Sequence, residues 1–580
     1  MAVTNKLAIP PQQKPSDESF DVRPKAVEEW LHALPVANLG ETSRRLYQAL
    51  REVNRLQVPA QRRAEFLEEL RETLHYVHEG LRRHYLNRDF PLPEKNRRIA
   101  QLAIALLNEM ALGYQIVLEF GGRGLRGLSR RQRGLALHRA IRYLGALLLE
   151  GFLIYEPSPR GIWQRLHTLY LIARDEGLDE FGVRDTDLAP EVEKSTTADA
   201  YKQILLTAAT GPFRMQQGEA AKIYDLMERL APAAELLDPV SEEAASTIFH
   251  VDLSADTGPV PAFRDENPRG HRHLALQTDD LLALLDKGVD GRARGWRRRR
   301  DPLDVDDATR ERVTLALGQE PRRRHSRLAA ASQVQVVLGL SQIHRALVKQ
   351  LGQDLEQSPA DDGRHFNSKD IEGASGNGRD IWDLIYHPAP ALLPKEQTFN
   401  AFRTDEHRET AVTAGRWRLV NVSAGGYCLF SDPKQTAGAR VGEVLALRER
   451  DAKDVPWQTG VIRWMRHTPT EGLHLGVQVV APRPKPVLIQ LEEQDETRPR
   501  IDRGLLLPEV RPTGQPATLI TPPLRYAVDH RMLVSSHGSA QAVHLTRELD
   551  STRSFSQFVF RPTGDPMDGE DPFDSVFASI

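Results

Sequence analysis

One cysteine, Cys428, stands in 580 residues. A single thiol excludes an intrachain disulfide framework and any cysteine-built zinc cluster. Cys428 falls in a strand-like run and reads as a small buried apolar side chain. The chain also lacks a run of about eighteen apolar residues, the length a membrane helix needs. Its N-terminus lacks the charged-then-apolar pattern of a signal peptide. No membrane span is expected, and the cytoplasm is the default compartment. Charge of one sign is missing too: 77 basic against 80 acidic residues leave a formal net charge of -3. That balance gives no bulk pull toward nucleic acid or a membrane surface. The 19 histidines include no His-Glu-x-x-His helix, and no Gly-x-Ser-x-Gly elbow occurs, so an enzyme is not expected. His75, His78 and His84 around Glu79 follow helical spacing and read as a surface pattern rather than a metal site.

What is present divides the chain. Its length exceeds one hydrophobic core, and three or more domains are expected. Residues 1–23 are polar and proline-containing and read as a disordered arm. From 24 to 238 the period is helical. Leu67, Leu70, Leu74 and Val77 fall at three- and four-residue steps, as do Leu102, Leu106, Met110 and Tyr114. Pro91 and Pro93 separate these two helices. Further helices are predicted near 130–155, 160–176, 197–209 and 217–237. Thr196 and Asp199 mark one helix start. No fixed repeat emerges, so the expected module is an all-α bundle.

Residues 239–319 form a mixed linker region. It holds a strand-like Thr247 to Leu253, a short helix from Asp279, and six arginines within residues 292–300 around Trp296. That cluster fits nucleic acid, by base stacking and phosphate pairing. The carboxylates that follow, Asp301, Asp304, Asp306 and Asp307, favour a solvated, charge-paired segment instead. Gly122 to Gly127 spells Gly-x-Gly-x-x-Gly, but it follows a helical stripe rather than a strand. It therefore reads as a helix–helix connection, not a dinucleotide site. Beyond it, Gln333 to Leu338 alternates as a strand and Leu340 to Leu351 turns helical. A polar segment to about 410 reads as a long insertion. Strand patterns resume to 491 and again over 504–561. Residues 562–580, with five acidic side chains, read as a disordered acidic tail.

Two short patterns carry ligand chemistry. Asn421-x-Ser423-x-x-Gly426 sits between strand-like runs, a polar turn suited to a planar ligand edge. Arg323-x-x-x-Arg327, preceded by Arg322, opens the strand at 333. Guanidinium groups fork onto phosphate and stack on purines. With the strands Gly460 to Trp464 and Leu473 to Val479, these residues resemble the PilZ domain, a bacterial receptor module for cyclic di-GMP. The resemblance covers residues 320–491. It departs from the family in spacing, since 94 positions separate Arg327 from Asn421. An insertion of that length costs little, because loop-closure entropy grows only logarithmically. Arg403 and Arg408 are nearer in sequence but one residue too far apart.

The fold class is thus multidomain α + β: an N-terminal all-α helical bundle, a PilZ-like β-barrel with a long insertion at about 340–410, and a second small β domain over 504–561. The resemblance implies that Arg323 and Arg327 clamp phosphate and guanine, that Arg322 adds a third contact, and that Asn421 and Ser423 hydrogen-bond a guanine edge while Gly426 keeps the turn open. It implies cyclic di-GMP as ligand, with no cofactor or metal. It further implies a cytoplasmic effector acting through an unidentified protein partner of the helical domain, in motility, type IV pili or biofilm control. Two alternatives differ in class. One is a ligand-free interaction scaffold with a degenerate barrel, using the tail around Phe573 and Phe577. The other is a nucleic-acid-associated regulator using residues 292–300.

Overall fold

The computed structural model describes residues 7–122, 127–237, 248–261, 272–290, 306–318, 326–350, 414–432, 438–449, 456–492, 501–510, 514–536 and 539–563. They fall into two compact units. The first holds described residues 7–88 and 92–318, the second 89–91 and 326–563.

The first unit begins with eight helices: α1 (Pro24–His32), α2 (Leu39–Val53), α3 (Ala60–Arg82), α4 (Glu94–Phe120), α5 (Arg130–Leu153), α6 (Ile162–Asp175), α7 (Thr197–Ala209) and α8 (Glu219–Leu230). Leu67, Leu70, Leu74 and Val77 of α3 are all buried, as the spacing predicts. The helix starts are written locally. Thr196 and Asp199 form a reciprocal capping box on α7, and Ser129 and Gln132 form one on α5. Helix α5 is buried on every side, which makes it the axis of the bundle. Among the described helices only α4 is long and apolar enough to cross a membrane, and 67% of that stretch is buried inside the fold. Gln101, Asn108, Glu109 and Gln115 interrupt its apolar residues, and its apolar surface faces neighbouring helices.

Two expectations for this unit are corrected. Residues 7–22 are not a disordered arm. Leu7 is buried, Phe20 packs edge-on against Trp30 and Phe66, and Gln13 exchanges backbone hydrogen bonds with Arg55 and Gln57. The anchor is the buried Arg63, whose guanidinium donates to Val53 O, Leu56 O and Gln12 Oε1. It satisfies carbonyls at the end of α2 and ties down the arm in one step. The mixed linker region is also no linker. With β1 (Glu235–Leu237), which precedes it, the region forms a four-stranded sheet of β2 (Ile248–Asp252), β3 (Val260–Pro261) and β4 (His273–Gln277), in order β1-β4-β2-β3. Helices α9 (Asp279–Asp290) and α10 (Asp307–Gly318) follow. Leu274, Leu276, Leu281, Leu285, Val313 and Leu317 are buried, and Arg312 pairs with Glu219 of α8, so this segment is packed as part of the first unit.

The second unit is built from two barrels. The first comprises β5 (Leu328–Ala329), β6 (Gln333–Leu338), β7 (Gly415–Ser423), β8 (Gly426–Ser431), β9 (Val444–Glu449), β10 (Gln458–Thr468) and β11 (Gly472–Pro482). Their order is β5-β7-β6-β9-β10-β11-β8, and a further β7–β8 pairing closes the ring. The second barrel comprises β12 (Lys485–Leu491), β13 (Asp502–Leu507), β14 (Thr518–Thr521), β15 (Arg531–Ser536), β16 (Ser539–Ser551) and β17 (Ser556–Pro562), closed in order β12-β13-β14-β17-β16-β15.

Here too the sequence boundaries shift. Strand β12 was expected in the first barrel, yet it pairs with β13 and β15 of the second. Helix α11 (Leu340–Gln350) was expected to be part of an insertion. Instead Leu340, Ile343, Ala346 and Leu347 share one core with Val337, Val444 and Val461 of the first barrel and with Leu505, Leu507 and Ile520 of the second. An amphipathic helix between two barrels buries apolar residues against both, which is why it belongs to the fold. The polar segment beyond it, the arginine cluster at 292–300 and the tail from 564 lie outside the described residues.

Candidate functional site

The Asn-x-Ser-x-x-Gly segment is the hairpin of β7 and β8. Ser423 pairs with Gly426 across the Ala424–Gly425 turn, and its Oγ donates to Gly426 O at 3.2 Å. A β-bulge interrupts the β7–β8 register between Leu419 and Asn421. Its effect is decisive. Before the bulge, Leu419 faces inward in a row with Leu429, Leu475 and Met465, all buried. Plain alternation would send Asn421 inward as well. The extra residue, Val420, reverses this, so Asn421 and Ser423 fall on the outer face. Asn421 there begins an outer row through Cys428, Gly476 and Trp464.

Gly426 also meets a steric demand of the barrel. A Cβ there would meet the Val477 carbonyl oxygen at 2.0 Å. The close approach of β11 by itself requires a glycine at this position. Gly426→Ala is expected to destabilise the second unit by about 3 kcal/mol, the upper end of overpacking costs, because a strand must move. Urea unfolding followed by tryptophan fluorescence measures this, and an unchanged midpoint would refute the close-approach argument.

Strand β5 supplies the link across the long sequence gap. Leu328 pairs with Val422 and Ala329 with Asn421, and Ala330 N donates to Val420 O at 3.0 Å. Continuing this antiparallel register by one residue brings Arg327 alongside Ser423. Arg327 is exposed. Its charge reaches Cys428: burial pushes that thiol up, and the Arg327 guanidinium acts in the opposite direction. Arg327, Asn421, Ser423 and Gly426 are therefore gathered on one face. Arg322 and Arg323 lie outside the described residues, as do Arg403 and Arg408.

Other residues of this face were not singled out in the sequence. Trp464 was seen only as part of a strand, yet its indole covers Gly476, where a Cβ would lie 1.7 Å from Nε1. A neighbouring row holds Arg418, Phe430, His474 and Arg466. The Arg418 guanidinium lies 4.5 Å over the Phe430 ring, and the His474 ring is 4.9 Å from it. Burial lowers the His474 pKa; Glu471 opposes this, and Arg466 and Arg418 reinforce it. The face is thus cationic and aromatic, a chemistry that suits phosphate and purine. Cys428 is buried, as read from the sequence. His78 is not on the surface: it is buried in the first unit, with Nε2 3.0 Å from Glu150 Oε1. Among the described residues no group of histidine, cysteine and carboxylate side chains could hold a metal.

Comparison with known proteins divides the chain in the same order, although the middle-domain match begins at residue 248, within the first unit. Residues 25–241 match the model "Cyclic-di-GMP receptor FimW, N-terminal domain", residues 248–486 match "Cyclic-di-GMP receptor FimW, middle PilZ domain", and residues 487–563 match "FimW C-terminal beta-barrel domain". A curated relative from Pseudomonas aeruginosa, the "Cyclic-di-GMP receptor FimW", is 29% identical over an alignment of 614 residues that covers 99% of this chain and 98% of that protein. No solved structure matches the chain. Matched by the three domain models in order along nearly its whole length, the chain belongs to the PilZ-domain cyclic di-GMP receptor family.

Proposed function

We propose that this protein is a cyclic di-GMP receptor whose PilZ barrel binds the nucleotide on the outer face of β7 and β8. The observation that carries this reading is the β5–β7 pairing. It brings Arg327 beside the Asn421–Ser423 turn although 94 positions separate Arg327 from Asn421. Arg327, with Arg322 and Arg323 ahead of it, is assigned to phosphate and guanine. Asn421 and Ser423 are assigned to a guanine edge. The named function of the Pseudomonas aeruginosa relative supports the same ligand. A membership of this kind favours a binding protein over an enzyme. The helical unit is assigned to a protein partner inside the cell, in motility, pilus or biofilm control, as the family resemblance implies.

Calorimetric titration of cyclic di-GMP into the full chain tests the reading. Dissociation in the micromolar range or tighter is expected, with Ser423→Ala about tenfold weaker, the cost of one hydrogen bond near 1.4 kcal/mol. Absence of heat and of competition at high protein concentration would refute it.

A further inference from the structure

Arg463 lies on the outer face of β10, at the register shift between Ile462 and Trp464. Its Nε donates to Gln478 Oε1 at 2.7 Å and its Nη2 to Asp550 Oδ2 at 2.6 Å. Gln478 pairs with Gly426, and Gly426 pairs with Ser423. One outer row therefore leads from the serine of the binding turn, across a glycine, to Gln478 and the Arg463 side chain. Three strand spacings separate Ser423 from β10, roughly 14 Å, and the Arg463 side chain lies against Gln478, which shortens that gap. At its other end Arg463 reaches Asp550, which sits beside a second irregularity, in β16 of the second barrel.

We propose that Arg463 is a further phosphate contact of the candidate site and that Asp550 competes with the ligand for it, so that the second barrel senses occupancy of the PilZ face. This rests on the receptor reading above. Cyclic di-GMP carries two phosphates, and a guanidinium forks onto phosphate as it does onto a carboxylate. The Arg463–Asp550 pair is partly exposed, with side chains 39% and 22% accessible. Pairs of that kind contribute little net stability in water, so exchanging the carboxylate for a phosphate meets a small barrier. Gln478 Oε1 accepts from Arg463, which leaves the Gln478 amide N–H groups to offer a phosphate oxygen. Loss of the Asp550 contact frees the β16 irregularity, a local change within the same unit.

The test is a calorimetric cycle on the full chain with cyclic di-GMP, using wild type, Arg463→Ala, Asp550→Asn and the double variant, each checked by thermal melting. Arg463→Ala is expected to bind about tenfold more weakly, the size of one charge-assisted contact. Asp550→Asn is expected to bind about threefold more tightly, because its competitor for Arg463 is neutral. The double variant should match Arg463→Ala, since Asp550 acts only through Arg463. Should Arg463→Ala melt early, Arg463→Lys replaces it, with charge kept and the fork lost, and an intermediate affinity is expected. Unchanged affinity in either single variant, or weaker binding in Asp550→Asn, overturns the proposal while leaving the receptor reading standing. No binding by wild type overturns both.

Discussion

Arg327→Ala is expected to weaken cyclic di-GMP binding about 100-fold while leaving the melting temperature unchanged; two charge-assisted contacts of about 1.5 kcal/mol each amount to that factor. The two halves of the expectation have separate physical grounds. Arg327 is exposed, so its removal opens no cavity and unpairs no buried group. The ladder beside it is made by the backbones of Leu328 and Ala329, which the substitution does not touch. The affinity half follows from position. The residue sits at the end of a two-residue strand paired to the Asn421 turn, where a long cationic side chain reaches over the outer face. Arg327→Lys should recover part of the loss, because a point charge keeps the attraction to phosphate and loses the fork. Titration at two salt concentrations adds a check, since an ionic contact to phosphate weakens with salt. Full affinity in Arg327→Ala would sink this assignment and move the clamp to Arg322, Arg323, or Arg403 and Arg408.

Glu150→Ala is expected to destabilise the helical unit by about 4 kcal/mol, the scale for removing one member of a buried charge pair. Glu150 is fully buried on α5. Arg82 Nε donates to its Oε1 at 2.8 Å, the Tyr85 hydroxyl donates to Oε2, and His78 Nε2 lies 3.0 Å from Oε1. Burial pushes this carboxyl up. The Arg82 charge, with His78 and Tyr85, overrides burial and holds it at about 2. A folded-state pKa below the ordinary value of 4.5 means stabilisation that is complete above 4.5 and is lost as pH falls toward 2. Asp225 has the opposite sign. Burial first and Glu228 second raise it to about 6, so it costs stability as pH rises from 3.8 to 6. Comparing wild type with Glu150→Gln in urea at each pH cancels the Asp225 contribution. The wild-type curve should fall below pH 4.5 while the variant is flatter there. Equal acid slopes in the two proteins would rule out Glu150 as the acid-sensitive group.

Local signals made most elements legible. The α7 start at Thr196 and the strand Gln333–Leu338 emerged where expected, because a capping box and an alternating apolar run are decided by near neighbours. The arm was misread for the opposite reason. Gln12 and Gln13 look like solvent-facing residues until Arg63 and Arg55, over forty positions away, supply their partners. The steric demand on Gly426 was hidden likewise. A turn glycine and a close-approach glycine look alike in sequence, and only the Val477 carbonyl separates them. Trp464 and Arg463 passed as ordinary strand residues because the register shift that sets their face is a property of pairing.

The chain's own order of residues determined that helices come first and barrels after, that a single cysteine leaves no intrachain disulfide, and that Asn421–Gly426 spells a polar turn between strands. Composition, period and short motifs are local, so they are written where they act. Three things waited for the tertiary structure: the assignment of β12 to the second barrel, the seat of α11 between the barrels, and the pairing of the strand after Arg327 with the strand that holds Asn421. Each depends on which strand edges and apolar faces find one another. Pairing free energy between distant segments leaves no mark in either segment alone.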